Sequence, residues 1–350
     1  MEQQRRKTKT VSVGSVPIGS GHAVAVQSML NAPAEEVSQN VRQAVQLAQA
    51  GCRILRVSVP KKEDVRLVGA IKQAVDVPLV ADIHYDYQIA LACVEAGVDK
   101  IRINPGNIGE NSRVRAVAEA CGKRGIPIRI GVNGGSLEPK LLEKYGRPTA
   151  EALVESALSQ AALLESFAVT DIVISLKSSH VPTNVRAYQI LAGRCDYPLH
   201  LGVTEAGTYR AGLVKNAMGI GSLLLSGIGD TLRVSLTGDP LREVEAGYDI
   251  LRAAGHPVPG PEVISCPTCG RTCIPVEEIA GELEKRLQNS KKNLKIAVMG
   301  CVVNGIGEGK EADIGLAGGK GSAVLFKKGK KIRTVHGDYL QALLDEIETM

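Results

Sequence analysis

Short apolar runs alternate along the first 255 residues with longer segments whose apolar positions recur three and four apart. The first kind reads as buried strand and the second as amphipathic helix. A β-rich stretch with turn residues at 10–21 predicts a hairpin. Strands are expected at 23–29, 53–59, 78–84, 100–104, 127–133, 171–177, 198–204 and 231–237. Helices are expected at 34–50, 61–75, 87–96, 111–123, 137–144, 150–167, 182–192, 208–218 and 241–253. Eight strand–helix units in about 230 residues imply a parallel sheet able to close, so the expected architecture is α/β, a (β/α)8 TIM barrel. An open doubly wound sheet is the alternative. The glycine-rich stretch 219–229 follows a helix and reads as a loop, with only weak support for a phosphate cradle.

The pattern breaks at His256-Pro-Val-Pro-Gly-Pro-Glu262, where three prolines in five residues mark a stiff linker. The expected division is a barrel domain at 1–255, a linker at 256–263 and a small α+β domain at 264–350. In the last, helices are expected at 276–288 and 339–348 and strands at 295–299, 313–317 and 323–328.

Composition narrows the class. Of 350 residues, 44% are hydrophobic, enough for a sizeable core. Aromatic residues make up 3% and tryptophan is absent, so nucleic-acid stacking platforms are not expected. There is neither an 18-residue apolar run nor a signal-peptide pattern, which predicts a cytoplasmic chain without membrane spans. The basic cluster at the N-terminus reads as a solvated end. Eight cysteines in such a chain point to thiols or metal ligands rather than a disulfide framework.

Polar residues recur at period two toward the expected strand ends: Arg56 and Ser58, Asp82 and His84, Arg102 and Asn104, Arg129 and Asn133, Lys177, then Arg233 and Ser235, with Glu205 just past Thr204. Residues i and i+2 share a face, and barrel chemistry is built at C-terminal strand ends. Four arginines and a lysine at one mouth outnumber Asp82 and Glu205, and unpaired buried charge costs several kcal/mol. A polyanionic ligand such as a diphosphate would balance them, since guanidinium forks fit phosphate oxygens. The plainer reading puts the arginines in ordinary ion pairs on the helix-facing side.

The last quarter carries Cys266-Pro-Thr-Cys269, Cys273, Cys301 and, on a glycine-rich run, Glu308. Grouped thiolates select zinc or an iron–sulfur cluster. One reading is a structural zinc site of Cys266, Cys269, Cys273 and Cys301, on a redox-inactive phosphosugar lyase or isomerase barrel. Another is a cluster held by Cys266, Cys269 and Cys301, with Glu308 within reach of the same iron. Cys52, Cys93, Cys121 and Cys195 lack ligand spacing and read as small buried apolar residues.

Several phrases closely resemble the hydroxymethylbutenyl diphosphate synthase family: Val26-Gln-Ser-Met29, Ala81-Asp-Ile-His84, Arg102-Ile-Asn-Pro-Gly-Asn-Ile-Gly109, Arg129-Ile-Gly-Val-Asn133, Leu201-Gly-Val-Thr-Glu-Ala-Gly207, Gly227-Ile-Gly-Asp-Thr-Leu-Arg-Val-Ser235, Cys266-Pro-Thr-Cys269 and Gly300-Cys-Val-Val-Asn-Gly305. The resemblance runs from Val11 to the C-terminus and is to the short bacterial two-domain form. It implies a TIM barrel followed by an α+β [4Fe–4S] domain of the sulfite/nitrite reductase kind. It also implies reductive ring opening of methylerythritol cyclodiphosphate in isoprenoid precursor synthesis, with flavodoxin or ferredoxin as electron donor. By resemblance, Cys266, Cys269, Cys301 and Glu308 hold the cluster. Arg56, Asp82, His84, Arg102, Asn104, Arg129, Asn133, Lys177, Arg233 and Ser235 surround the diphosphate, and Glu205 transfers a proton. Two departures stand out: Cys273 lies where no ligand is expected, and the loop Leu30-Asn-Ala-Pro-Ala-Glu35 lacks the family's threonine-rich pattern. The last barrel helix should return the chain to the face opposite the mouth, and a linker of about ten residues spans at most ~35 Å. The cluster domain is therefore expected to cap a second subunit's barrel in a homodimer.

Overall fold

A computed structural model of the chain describes residues 5–288 and 290–350. It falls into two compact units, the first ending at Pro257 and the second spanning Val258–Met350.

The first unit begins with an antiparallel hairpin, β1 (Val11–Val13) and β2 (Val16–Ile18). Parallel strands follow: β3 (Ala25–Met29), β4 (Ile54–Ser58), β5 (Leu79–Asp82), β6 (Lys100–Ile103), β7 (Ile128–Asn133), β8 (Ile172–Lys177), β9 (His200–Leu201) and β10 (Thr231–Leu232). Their hydrogen-bonded order is β8-β7-β6-β5-β4-β3-β10-β9, and a parallel bridge from Ile174 to Leu199 joins the two ends into a barrel. Helices α1 (Val37–Gln49), α2 (Arg66–Ala74), α3 (Tyr87–Glu95), α4 (Pro105–Ile108), α5 (Asn111–Arg124), α6 (Pro139–Tyr145), α7 (Ala150–Ser166), α8 (Val181–Ala192), α9 (Tyr209–Leu225) and α10 (Leu241–Ala253) connect them. The alternating burial of a one-sided sheet is absent because both strand faces are covered, one by helices and one by the lumen's own side chains.

The hairpin closes the barrel's base. Val11, Val13, Val16 and Ile18 pack on Ala25, Ile54, Val80 and Val173, which lie at or next to the starts of their strands. The N-terminal arginines are anchored rather than solvated. Arg5 donates to Gly229 O at 3.0 Å and to Asp230 Oδ1 at 2.8 Å, and Arg6 donates to Ala192 O at 2.9 Å and Tyr197 O at 3.1 Å. Met1–Gln4 lie outside the described residues.

Glycines account for a second difference. Gly219 and Gly221 sit inside α9, so this part of the expected loop is helix and carries no phosphate cradle. A Cβ on Gly219 would lie 2.5 Å from Val203 Cγ2, so α9 and the segment following β9 meet too closely for a side chain.

The second unit is a five-stranded mixed sheet, β11 (Glu262–Ser265), β12 (Lys295–Met299), β13 (Ile314–Gly319), β14 (Ser322–Lys327) and β15 (Lys330–Val335), paired in that order. Helices α11 (Val276–Leu287) and α13 (Tyr339–Glu348) cover one face, against Ile296, Val298, Ile314 and Leu316. On the other face, Ala297, Met299, Ala317 and Phe326 pack with Ile306 of α12 (Val302–Glu308). Period-two alternation along β12 thus sorts its side chains between two small cores. Among the described residues no helix is long and apolar enough to cross a membrane.

Candidate functional site

The barrel lumen is charged. Asp82, the last residue of β5, is 1% exposed and accepts from two guanidiniums. Arg56 on β4 donates through Nη2 at 2.7 Å and Nε at 3.2 Å, and Arg102 on β6 donates through Nη1 at 3.0 Å. Burial alone would raise the Asp82 carboxyl, but Arg56, Arg102 and Arg129 outweigh it and hold the group well below the usual carboxylate range. His84 Nε2 lies 4.0 Å from Asp82 Oδ2, with its side chain 48% exposed at the mouth. Arg102 also crosses the face of Gly131, whose missing Cβ would fall 2.4 Å from Arg102 Nε. Glycine at that position makes room for the guanidinium.

The other expected residues are held differently. Arg233 follows β10 and is fixed by Glu243 of α10 through bonds of 2.9 and 3.0 Å. Glu243 is 2% exposed and also accepts from Ser28 at 3.0 Å. Asn216 brackets Ser235 from both sides, accepting from its N–H at 3.3 Å and donating to its carbonyl at 3.1 Å. Asn104 donates to Ser136 at 3.5 Å, while Asn133 Oδ1 is buried without a hydrogen-bond partner. Lys177 ends β8 at 9% exposure. Arg129 is not at a strand end: it is the second residue of β7, fully buried, with none of its three guanidinium nitrogens hydrogen-bonded. Glu205 is exposed and holds φ at 52°, a left-handed conformation that a non-glycine residue adopts at some cost.

The ion-pair reading of the arginines is thus met in part, but inside the lumen. Asp82 and Glu243 answer three of the five expected cations, leaving Arg129 and Lys177 as excess positive charge. Three contributors escaped the sequence pattern. Lys100 shares the parity of Arg102 and Asn104, so extending the period-two rule toward the strand start would have found it. His200 opens a strand of only two residues, and Glu243 lies on a helix, where no strand rule applies.

In the second unit, Cys266 directly follows β11 and Cys301 caps α12 after β12. Cys266, Cys269, Cys301 and Glu308 line one cavity of about 160 Å³, together with Arg271, Met299 and Asn304. The glycine-rich run that carries Glu308 lies on a helix, α12, where Gly305 allows a close approach to β12: a Cβ there would lie 2.7 Å from Met299 Cβ. Backbone N–H groups of Val303 and Asn304 at the helix start, and Arg271, lower the Cys301 thiol below its ordinary range. Gly300 N–H donates to Cys266 Sγ at 3.1 Å. Cys273 lies outside that lining; its backbone N–H pairs with Gly300 O at 2.8 Å. Among the described residues no three His, Cys, Asp or Glu side chains converge on a single-ion position. A cubane cluster spaces its ligands more widely than one ion does, so three thiolates and a carboxylate around a shared cavity suit it. All eight cysteines are free; Cys52, Cys93 and Cys121 are buried and Cys195 is half-buried.

Residues 8–248 match the family described as GcpE TIM-barrel domain, and residues 262–349 the GcpE protein C-terminal domain. The chain is 54% identical over 351 aligned positions to the 4-hydroxy-3-methylbut-2-en-1-yl diphosphate synthase (flavodoxin) of Caldanaerobacter subterraneus, covering 100% of this chain and 99% of that one. It is 52% identical to the protein of the same name from Clostridium perfringens, covering 99% of each. The corresponding protein of Geobacter sulfurreducens is 51% identical, covering 98% of each. Among solved structures, a dihydropteroate synthase from Stenotrophomonas maltophilia aligns with a TM-score of 0.51 at 14% identity, covering 70% of this chain and 97% of that one, a likeness of fold alone.

Proposed function

This chain belongs to the GcpE family, both of whose domains it carries, and from that premise we propose how its two sites divide one reaction. The activity is that of a 4-hydroxy-3-methylbut-2-en-1-yl diphosphate synthase, an oxidoreductase of isoprenoid precursor synthesis. Its substrate, 2-C-methyl-D-erythritol 2,4-cyclodiphosphate, takes up two electrons and one proton. The ring bond from carbon to diphosphate oxygen breaks, a hydroxyl leaves as water, and the open-chain diphosphate keeps one more ionised oxygen. The relatives' names specify flavodoxin, and we take flavodoxin or a ferredoxin as the donor here.

The observation that carries the redox reading is the single cavity shared by Cys266, Cys269, Cys301 and Glu308. These residues would hold a [4Fe–4S] cluster, with Glu308 the more exchangeable ligand because a carboxylate binds iron less tightly than a thiolate. When bound, such a cluster supplies electrons one at a time and a Lewis-acidic iron. In the barrel, Arg56, Arg102, Arg129, Lys177 and Arg233 bind the diphosphate, with His84 at the rim. Asp82 and Glu243 keep three of those guanidiniums aimed before substrate arrives, which is catalysis by positioning. Asn104, Asn133 and Ser235 supply neutral hydrogen bonds. Glu205, exposed on its own turn, is the carboxyl suited to hand over the proton.

The helix after the last strand of a (β/α)8 barrel returns the chain to the N-terminal face, away from the mouth. We therefore infer a homodimer in which one subunit's thiolate cavity serves the other's barrel. The free thiols fit a reducing cytoplasm. Anaerobic purification tests the whole reading. Iron, sulfide and absorbance near ~400 nm are expected, with turnover by reduced flavodoxin and loss of the colour in Cys301→Ser. A colourless, zinc-loaded protein would restore the redox-inactive alternative.

A further inference from the structure

Beneath the arginines that share Asp82, the lumen holds bases that no counter-ion meets. Lys100 opens β6, Arg129 is the second residue of β7 and His200 opens β9; they are 0%, 0% and 1% exposed. Lys100 Nζ, the three Arg129 guanidinium nitrogens and both His200 ring nitrogens have no hydrogen-bond partner. In register, Lys100 faces Val80 and His200 faces Thr231, whose other neighbour is Ala25. Val80 and Ala25 belong to the layer where the hairpin closes the base, so this set forms the floor of the site.

The charged groups around the floor come from every wall. Arg56 stands on β4, Asp82 on β5, Arg102 on β6 and Lys177 on β8, with Arg233 beyond β10 and Tyr188 of α8 behind Arg129. Asp82 already gives both oxygens to Arg56 and Arg102. Guanidiniums keep their charge in proteins, whereas a buried lysine readily gives up its proton. Burial, then Arg129 and Arg56, hold Lys100 well below the ordinary lysine range. Burial, followed by Arg56 and Arg129, does the same to Lys177, and burial with Arg129 depresses His200.

We infer that Lys100 is a proton-accepting positioning residue: uncharged in the empty barrel, it takes a proton from solvent as the diphosphate enters, so substrate binding and proton uptake are one event. The inference rests on the diphosphate reading of the lumen. Two negative charges brought among these cations reverse the balance that keeps Lys100 neutral. The resulting ammonium then faces the further charge that ring opening leaves on the diphosphate. His200 ordinarily loses its proton at lower pH than lysine, so above neutral pH it is neutral with or without ligand.

The test is calorimetric titration of the cyclic diphosphate into oxidised holoenzyme without reductant, at about pH 8, in buffers of differing ionisation enthalpy. The wild type should take up about one proton per ligand, and its affinity should fall up to ~10-fold per pH unit as pH rises. Lys100→Met should lose that uptake and bind at least ~10-fold more weakly. With ligand absent it should melt no lower than wild type, because it removes a buried, unpaired base. Lys100→Gln serves as a second variant should the methionine disturb packing. The assignment falls if wild-type binding takes up no proton, if uptake survives in both Lys100 variants, or if Lys177→Met alone abolishes it. Absence of any wild-type binding heat or affinity would instead overturn the diphosphate reading itself.

Discussion

Asp82→Asn removes one charge from the lumen and little volume. In the wild type that carboxylate answers Arg56 at 2.7 Å and Arg102 at 3.0 Å, with both arginine side chains under 10% exposed. At an effective dielectric near 20, each pair contributes about 4 kcal/mol of attraction. The cost of desolvating Asp82, several kcal/mol, offsets part of that sum. Losing the charge strands two guanidiniums, and removal of one partner from a buried pair costs about 3–5 kcal/mol. For a unit of this size, that should lower the barrel's melting temperature by roughly 6–20 °C. Ligand-free thermal unfolding followed by circular dichroism measures it. The pH dependence gives an independent check. Because folding depresses the Asp82 carboxyl, its stabilisation is fully present above the unfolded value of about 4 and is lost as pH falls below it. The Asn variant should therefore lose less stability than wild type between about pH 5 and pH 3. A variant within about 0.5 kcal/mol of wild type, with an unchanged acid limb, would refute the shared-carboxylate account.

Four further outcomes are expected. Gly131→Ala puts a methyl 2.4 Å from Arg102 Nε, so the guanidinium must leave Asp82; KM should rise about 10-fold or more with the cluster's absorbance intact. Glu205→Gln should bind the cyclic diphosphate normally and lose about 100-fold or more in turnover, whereas Glu205→Gly should be at least as stable as wild type, since φ of 52° suits glycine. Gly315→Ala drives a methyl to 2.3 Å from Phe326 Cζ and should destabilise the second unit by about 1–3 kcal/mol, read from its own unfolding transition.

The barrel was legible because each strand is a compact apolar run and each helix repeats at three and four. The upper cations were legible because period two carried Arg56, Asp82 and Arg102 onto one face. What escaped depends on neighbours distant in sequence. Lys100 and His200 are single bases beside apolar residues, and only the closed barrel reveals that nothing balances them. Glu243 reaches Arg233 across ten positions and a change of element. Gly219 and Gly305 look like loop residues until the chain packed against each helix is seen to need the space. The edge strand β15 was hidden by Lys330, Lys331 and Arg333: exposed throughout except at Val335, it has no apolar alternation to read.

The hairpin at the base has a kinetic corollary. Val11, Val13, Val16 and Ile18 turn a tube into a cup, so whatever enters the lumen must leave by the rim it came through. Under the proposed assignment of the lumen to the diphosphate, product and fresh substrate share one doorway, and inhibition by product should be competitive. Water reaching the floor travels the same route, so a bound ligand corks the cup and isolates the bases beneath it from bulk solvent until release.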